Sequence, residues 1–288
     1  MLLWSGGFTI AKIGITDADP LTLLALRYSC VVALILPLFV YFKPALPKNV
    51  REWLHIIIVG LLIQVFYFGA AYKAFETGAS AGLVALITSI QPIFVAMIMP
   101  IMSDDKVNRR SWLGLSLGLV GCLSVIISNM EVQITTSAGL LFSMAALFAI
   151  TIGTVWEKRF GVKQHPLTTN LVQYVVGAAI LLPIAWATET MSIHWTIAFA
   201  CALFYLVVCN SILAMSLLIM MIRQGEATRV SALFFLVPPV SALLAWLILK
   251  ESMAPAAWAG MLVTALGVWL VSGAATANHA TNEQKDLP

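Results

Sequence analysis

Long apolar stretches alternate with short polar segments along almost the whole chain. Most of these stretches hold about 18 to 25 residues, the length at which an α-helix crosses a hydrocarbon core of about 30 Å. We place the apolar spans at residues 1–16, 21–42, 53–75, 79–102, 111–129, 137–157, 167–187, 195–222, 227–249 and 255–273. The pattern predicts an all-α membrane protein with ten transmembrane helices.

The amino-acid composition supports this prediction. Hydrophobic residues make up 61% of the 288 residues and charged residues only 10%, whereas about 25% of the residues of a soluble domain are charged. The connections between spans are too short to hold an extramembrane domain. All four cysteines lie in apolar stretches without a Cys-x-x-Cys pair, so we interpret them as small buried side chains. We expect no metal and no cofactor.

The positions of Lys and Arg predict the orientation in the membrane, because cytoplasmic loops carry an excess of both residues. With a cytoplasmic N-terminus, the inner loops and the tail hold twelve of the 16 Lys and Arg residues. The outer loops hold Lys12, Lys73 and Lys250, and Arg27 lies within the second span. This bias predicts a protein of the bacterial inner membrane with an even number of spans and both termini in the cytoplasm. We expect the polar tail, residues 274–288, to be disordered.

The chain resembles itself at an offset of about 146 residues, which indicates two copies of one structural unit. The pairs at offset 146 or 147 are Pro20 with Pro166, Tyr28 with Tyr174, Pro37 with Pro183, Gly78 with Gly225, Pro92 with Pro239, Gly114 with Gly260 and Gly121 with Gly267. The unit holds an odd number of spans, so its second copy must be inverted in the membrane, as in many carriers with a central site. We predict two inverted five-helix repeats, residues 1–129 and 137–273, and duplication kept only for packing is the alternative.

The first predicted helix is short for its position in this repeat. Helix 6 begins near Ser137, so the offset would begin helix 1 about nine residues before Met1. Either the true start lies upstream of Met1, or the first helix is a shortened span.

The segment from Gly78 to Gly121 carries the features that connect the chain to a known family. It contains Gly-Ala-Ser-Ala-Gly-Leu from Gly78, then Gln91-Pro92, then Arg-Arg-Ser-Trp-Leu-Gly ending at Gly114. With residues 225–267 as a second copy, it resembles the EamA-type repeat of the drug/metabolite transporter superfamily. The resemblance implies ten helices, an export-type carrier for amino acids, other metabolites or drugs, and a central cavity lined mainly by helices 1, 3, 4, 6, 8 and 9.

Two amides lie near the middle of predicted helices, where polar groups are costly in a membrane. Gln64 in helix 3 and Asn210 in helix 8 are related by the offset of 146. We predict that both contribute to the polar floor of a substrate site between the repeats. Hydrogen bonds that only hold helices together are the alternative.

Prolines interrupt helices 4 and 9, and aromatic side chains lie near them. Pro92 and Pro239 each remove a backbone donor, and we predict that they kink their helices or act in gating. The predicted substrate-binding residues are Gln64, Tyr67, Gln91, Trp156, Asn210 and Phe234, with Trp4, Phe68 and Tyr72 as further aromatic neighbours.

Two features have two interpretations each. Arg27 lies about two turns inside helix 2, opposite Gln173 in the repeat, and either binds a substrate carboxylate or extends toward the membrane surface. Glycines in helices 5 and 10 form small-residue faces. These faces favour either tight packing or a homodimer contact through the two helices.

The function predicted from these features is secondary transport. We expect export of small metabolites such as amino acids, or of drugs, by alternating access between the repeats, with no nucleic-acid partner. An intramembrane enzyme and a channel are the alternatives. The chain has no Gly-x-Ser-x-Gly, no His-Glu-x-x-His and no P-loop, so we assign no catalytic residue and no ATP site.

Overall fold

The computed structural model describes residues 2–102, 107–129, 136–161, 164–224, 227–244, 246–247 and 253–283. These residues form helices joined by short connections. Counted through their interruptions, the helices of the described residues are α1 Leu2–Gly14, α2 Pro20–Phe42, α3 Val50–Glu76, α4 in two pieces (Ala81–Thr88 and Gln91–Met102), α5 Arg109–Asn129, α6 Ser137–Phe160, α7 Pro166–Thr188, α8 Ile197–Arg223, α9 Ala227–Leu243 and α10 Pro255–Glu283.

Eight of these helices are long and apolar enough to cross a membrane. The two that fall short are α1, with 13 residues, and α9. At 1.5 Å per residue, α1 spans roughly 20 Å, less than the hydrocarbon thickness of about 30 Å. The all-helical class of the described residues agrees with the sequence-based prediction, while ten membrane spans stay a prediction.

Local sequence signals begin several helices. Pro20 and Pro166 are the first residues of α2 and α7, where the missing N–H costs nothing and the fixed φ suits a helix. Asn49 caps α3 by accepting a bond from the Glu52 amide, and Thr136 caps α6 in the same way through Gly139. These caps satisfy backbone donors that a helix start leaves open.

The last helix extends further than the composition predicts. We expected disorder from Ala274, but α10 continues to Glu283. Alanines at four of those ten positions favour a helix, and no glycine or proline interrupts them. Residues 284–288 lie outside the described part of the chain.

Four helices change their winding partway along. The segments Leu61–Tyr67 in α3 and Tyr205–Ala214 in α8 are π-helical. In α4 the helix breaks after Thr88 and resumes at Gln91, and in α9 a 3-10 turn occupies Leu233–Leu236. The irregular turns therefore come just before Pro92 and the Pro238-Pro239 pair, and each proline sits near the start of a resumed helix.

Two tyrosines bind the π-helical segments at related positions. The Tyr28 hydroxyl donates to the Gln64 carbonyl at 2.9 Å, and the Tyr174 hydroxyl donates to the Ser211 carbonyl at 3.0 Å. In an α-helix the amide of Phe68 would bind that Gln64 carbonyl, but here it binds the carbonyls on either side. The amide of Met215 skips Ser211 in the same way.

This arrangement changes the residue pairing that the sequence suggested. Gln64 plays the same backbone role as Ser211, at an offset of 147, and not the role of Asn210. The one-residue shift seen further along the chain is therefore already present here. Because successive residues of a helix point about 100° apart, the two amides face different neighbours.

Helices α5 and α10 pack closely through their glycines. A Cβ atom on Gly114 would lie 2.6 Å from the Gly267 carbonyl oxygen, and one on Gly121 would lie 2.5 Å from that of Gly260. The glycine faces thus meet each other inside the chain, as expected for tight helix packing. A homodimer through α5 and α10 stays a prediction, and it would have to use their opposite faces.

Candidate functional site

The chemically most unusual residue of the described part is Arg27. Its side chain lies inside the bundle with only 1% of its surface exposed. Arg27 Nε donates to Ser211 Oγ at 2.6 Å, and Nη2 donates to Asn210 Oδ1 at 2.7 Å. These bonds direct the guanidinium across the bundle from α2 to α8, which excludes the extension toward the membrane surface considered above.

Among the described residues, no carboxylate forms an ion pair with Arg27. Aromatic rings take the place of a carboxylate beside the guanidinium. Its central carbon lies 4.8 Å from the centre of the Phe68 ring and 5.8 Å from that of the Tyr28 ring. An arginine at the centre of a membrane helix costs about 2.5 to 3.5 kcal/mol on insertion scales. Cation–π contacts and neutral acceptors offset part of that cost but leave the positive charge unneutralised.

Arg27 lines a small, partly open pocket, here called the arginine cavity. Its cavity volume is about 10 Å³, roughly the room of one water molecule, so a larger ligand requires the walls to move apart. Its walls are Trp4, Gly7, Ala11, Arg27, Phe68, Tyr72 and Asn210. The buried Tyr72 hydroxyl lies there within hydrogen-bonding reach of the Arg27 guanidinium. The cavity thus offers one cation with a hydroxyl beside it among mostly apolar walls.

A second space, the helix-break cavity, also has Trp4 in its wall. Its cavity volume is about 20 Å³, and it is lined by Trp4, Tyr67, Ala85, Thr88, Ser89, Gln91, Ile150, Phe234, Val237 and Pro238. Its walls include the broken turn of α4 and the residues that follow the 3-10 turn of α9. Trp4 lines both cavities, and its ring lies 6.0 Å from that of Phe68 and 5.6 Å from that of Phe234.

Comparison with known proteins now decides the family. The sequence profile of the EamA-like transporter family matches residues 1–127 and 137–273. The chain belongs to this family. It is therefore a multi-pass membrane transporter and not an enzyme.

Relatives and a solved structure agree in length as well as in pattern. A protein of Salmonella typhimurium named "Probable amino-acid metabolite efflux pump" is 23% identical, and the match covers 94% of this chain and 91% of that protein. The protein of the same name from Escherichia coli is 22% identical over the same shares. A solved structure titled "Crystal structure of protein" has a TM-score of 0.80 at 17% identity and covers 95% of this chain and 94% of its own. That likeness concerns the fold alone.

The sequence-predicted site residues of this EamA-family chain fall into three groups. Tyr67, Gln91 and Phe234 line the helix-break cavity, and Asn210 lines the arginine cavity. Pro92 and Pro239 are buried next to the irregular turns. Gln64 and Trp156 are not part of either wall.

Gln64 and Trp156 lie in other surroundings. The Gln64 amide is buried, and neither of its polar atoms has a hydrogen-bond partner within the described residues. The Trp156 ring packs on Phe160 at 4.7 Å and on His55 at 5.9 Å between ring centres. Gln64 therefore does not line the cavity that Asn210 lines, and a polar floor shared by the two amides stays a prediction.

Gln91 is held in place from two other helices. Its Nε2 donates to Thr154 Oγ1 at 3.3 Å on α6 and to Ser231 Oγ at 3.4 Å on α9. Its Oε1 is buried and has no partner among the residues the structure describes. That oxygen is an acceptor at the edge of the helix-break cavity.

Polar clusters join the helices at both ends of the bundle. At one end, the Glu189 cluster, the carboxylate accepts from the Leu21 amide at 3.0 Å and from the Thr22 amide and hydroxyl at 2.7 and 2.8 Å. Lys73 Nζ reaches the same carboxylate at 3.4 Å. Glu189 thereby caps the start of α2 from the end of α7 and connects both to α3.

At the opposite end, the Arg223 cluster joins α6, α7 and α8. Arg223 pairs with the buried Glu157 and donates to Thr169 Oγ1 at 3.1 Å and to the Gln164 carbonyl at 2.9 Å. Breaking either cluster would uncover charged groups that are now paired. The two clusters therefore tie the helices together at opposite ends of the bundle.

Sequence reasoning named half of the residues that line the two cavities. Ser211 carried no signal, because a serine inside a helix commonly bonds its own backbone. Arg27 did carry a signal: it lies deeper inside a predicted span than any other Lys or Arg of the sequence, and its repeat partner Gln173 is uncharged.

Proposed function

We propose that this EamA-family transporter is a secondary exporter of small metabolites, with amino acids as the leading class. It works in the bacterial inner membrane by alternating access between two inverted five-helix repeats. In this proposal all ten helices span the membrane, α1 and α9 being the short ones, and both termini are cytoplasmic.

The observation that carries the proposal is the pair of cavities that share Trp4 as a wall. The helix-break cavity takes Tyr67 and Gln91 from the first half of the chain and Phe234 and Pro238 from the second. A site shared between two halves can open to one side of the membrane at a time when the halves rock.

Equivalent contacts at an offset of 146 or 147 support the inverted repeat. The hydroxyls of Tyr28 and Tyr174 bind the corresponding π-helical segments, and their rings meet at 5.3 Å. The glycine contacts between α5 and α10 are also reciprocal. Such pairs are expected where an approximate twofold axis passes between α2 and α7 and between α5 and α10.

The end clusters are the proposed gates. The Glu189 cluster would close the outer side and the Arg223 cluster the inner side. Alternating access requires that only one of them opens in each state. The irregular turns before Pro92 and Pro238 provide places where α4 and α9 can bend without losing a regular hydrogen-bond ladder.

The class of solute is proposed from the relatives. Two of them are named as probable amino-acid metabolite efflux pumps. The cavities of this chain suit a small molecule with both polar and apolar parts, since single polar groups stand among aromatic walls.

Counterflow in proteoliposomes tests the proposal. Vesicles holding the purified protein are loaded with one unlabelled solute, and uptake of the labelled solute is followed without ATP, across amino acids, amines and drugs. We expect transient accumulation of at least one amino acid, which empty vesicles lack. No accumulation of any solute, movement that requires ATP, or electrical currents far above carrier rates would contradict it.

A further inference from the structure

We propose that the arginine cavity binds the carboxylate of a solute that carries a single carboxylate, with Arg27 as the anchor and the apolar body of the ligand against Trp4 and Phe68. The inference rests on the proposed function in that it takes this cavity to be part of the solute site.

The first argument is charge. Arg27 is buried, keeps its positive charge and has no anionic partner in the described part of the chain. A buried, unneutralised cation in the wall of a pocket is therefore matched to an anion that enters the pocket.

The second argument is geometry. A guanidinium carries five N–H donors in a planar fork, and the bonds to Ser211 and Asn210 use Nε and one hydrogen of Nη2. Those bonds and the Phe68 ring beneath the guanidinium fix its orientation. A fixed fork binds a carboxylate through two parallel bonds, and it discriminates against groups of other shape.

The third argument concerns the rest of the ligand. Trp4, Phe68 and Tyr72 provide aromatic walls beside Arg27, and the buried Tyr72 hydroxyl is a further donor for an acid oxygen. Because Trp4 also borders the helix-break cavity, a ligand held at Arg27 can extend along the Trp4 ring toward Gln91. That path is apolar at its centre and polar at both ends.

The number of charges selects among anions. Arg27 is the one charged residue in the walls of the two described cavities. One buried positive charge neutralises one carboxylate, whereas a phosphate or a dicarboxylate would bring an uncompensated negative charge into the bundle. A ligand that is only a cation would be repelled by Arg27.

The test measures binding to the full-length protein in detergent by isothermal titration. The probes are 3-phenylpropionate, the matched neutral 3-phenylpropionamide, the cation 3-phenylpropylamine and the dianion phenyl phosphate. The protein is compared with Arg27→Met, Arg27→Lys and the control Arg110→Met, which removes an exposed arginine on α5. Size-exclusion chromatography checks that each variant is folded.

We expect wild-type protein and Arg110→Met to bind the acid roughly tenfold more tightly than the amide, because charge-assisted bonds are the stronger ones. Arg27→Met should bind acid and amide alike, and Arg27→Lys should keep part of the preference. A wild-type protein that binds the amide, the amine or phenyl phosphate as tightly as the acid, or binds none of them, overturns the proposal even if no variant folds.

An acid preference retained in Arg27→Met also overturns it. Binding is measured without transport, so the two proposals fail in different ways. If the protein prefers the acid through Arg27 but moves no solute in counterflow, the carboxylate site is supported and the proposed export function is contradicted.

Discussion

The two halves of the molecule agree in their backbone contacts and differ in their chemistry. Tyr28 and Tyr174, 146 residues apart, both bind a carbonyl of a π-helical segment. Their preceding neighbours, Arg27 and Gln173, are also 146 apart and share nothing but burial. Positions that shape the bundle have stayed alike, while the position that faces the arginine cavity carries a charge in one half only.

The surroundings of the two residues show what the difference means. Arg27 meets Asn210 and Ser211, which both accept hydrogen bonds from it. Gln173 packs against Gly60, and both polar atoms of its amide are buried without partners among the described residues. The surroundings of Arg27 are therefore charged and hydrogen-bonded, whereas those of Gln173 are neutral and leave its amide without hydrogen bonds. We infer that only the surroundings of Arg27 are adapted to bind a ligand.

The largest expected effect comes from Gly121, a position at which both halves of the chain carry glycine. In Gly121→Ala the new Cβ would lie 2.5 Å from the Gly260 carbonyl oxygen and from the Thr264 amide nitrogen. Neither backbone atom can move cheaply, so we expect a loss of about 3 kcal/mol or more in stability. Thermal unfolding in detergent measures it.

Gly69→Ala is the matched control for that variant. A Cβ on Gly69 has only one neighbour, Leu181 Cδ2 at 4.0 Å. Alanine should be tolerated there and gain up to about 1 kcal/mol from helix propensity. Equal stability of the two variants would contradict the close packing of α5 on α10.

A smaller effect is expected at the arginine cavity. In Gly7→Ala the new Cβ would clash with Asn210 Nδ2, so the amide must turn or shift, which weakens its bond to Arg27. A side-chain shift is cheaper than a backbone shift, and we expect a loss of about threefold in affinity for 3-phenylpropionate, within the range of one weakened hydrogen bond. Titration of Gly7→Ala beside Gly69→Ala checks this. Unchanged affinity would mean that Asn210 does not position Arg27.

The smallest effect is expected at Gln173. Gln173→Leu removes an amide whose polar atoms have no partner in the described structure, so unfolding stability should change by less than about 1 kcal/mol or rise. Counterflow should continue at the wild-type rate. A strong loss of transport in this variant would show that Gln173 also takes part in binding the solute. The contrast between Gln173 and Arg27 would then not hold.

The sequence predicted the helices well because span length, prolines and loop charges are local signals. It also predicted three walls of the helix-break cavity, since aromatic and amide side chains near broken helices are conspicuous. It did not predict the π-helical turns, which have no residue signature here. Without these turns, the sequence did not show that the repeat offset changes from 146 to 147 between α2 and α3. Gln64 was therefore paired with Asn210 instead of Ser211.

The sequence pointed to Trp4, Arg27, Phe68, Tyr72 and Asn210 but did not predict that they line one cavity. Arg27 binds residues 183 and 184 positions away, and Trp4 reaches both cavities from the short helix α1. Contacts at such separation depend on how the helices rotate about their axes, which hydrophobic periodicity leaves open in a helix that is apolar on most sides.

Counterflow of phenylalanine tests the central claim most directly, because it needs both the transporter and its carboxylate anchor. Proteoliposomes with wild-type protein, Arg27→Met or Arg110→Met are loaded with unlabelled phenylalanine and supplied with the labelled amino acid outside. Wild-type protein and Arg110→Met should accumulate label transiently, and Arg27→Met should fall to the level of empty vesicles. Accumulation by Arg27→Met equal to wild type, or none by the wild-type protein, would contradict the account.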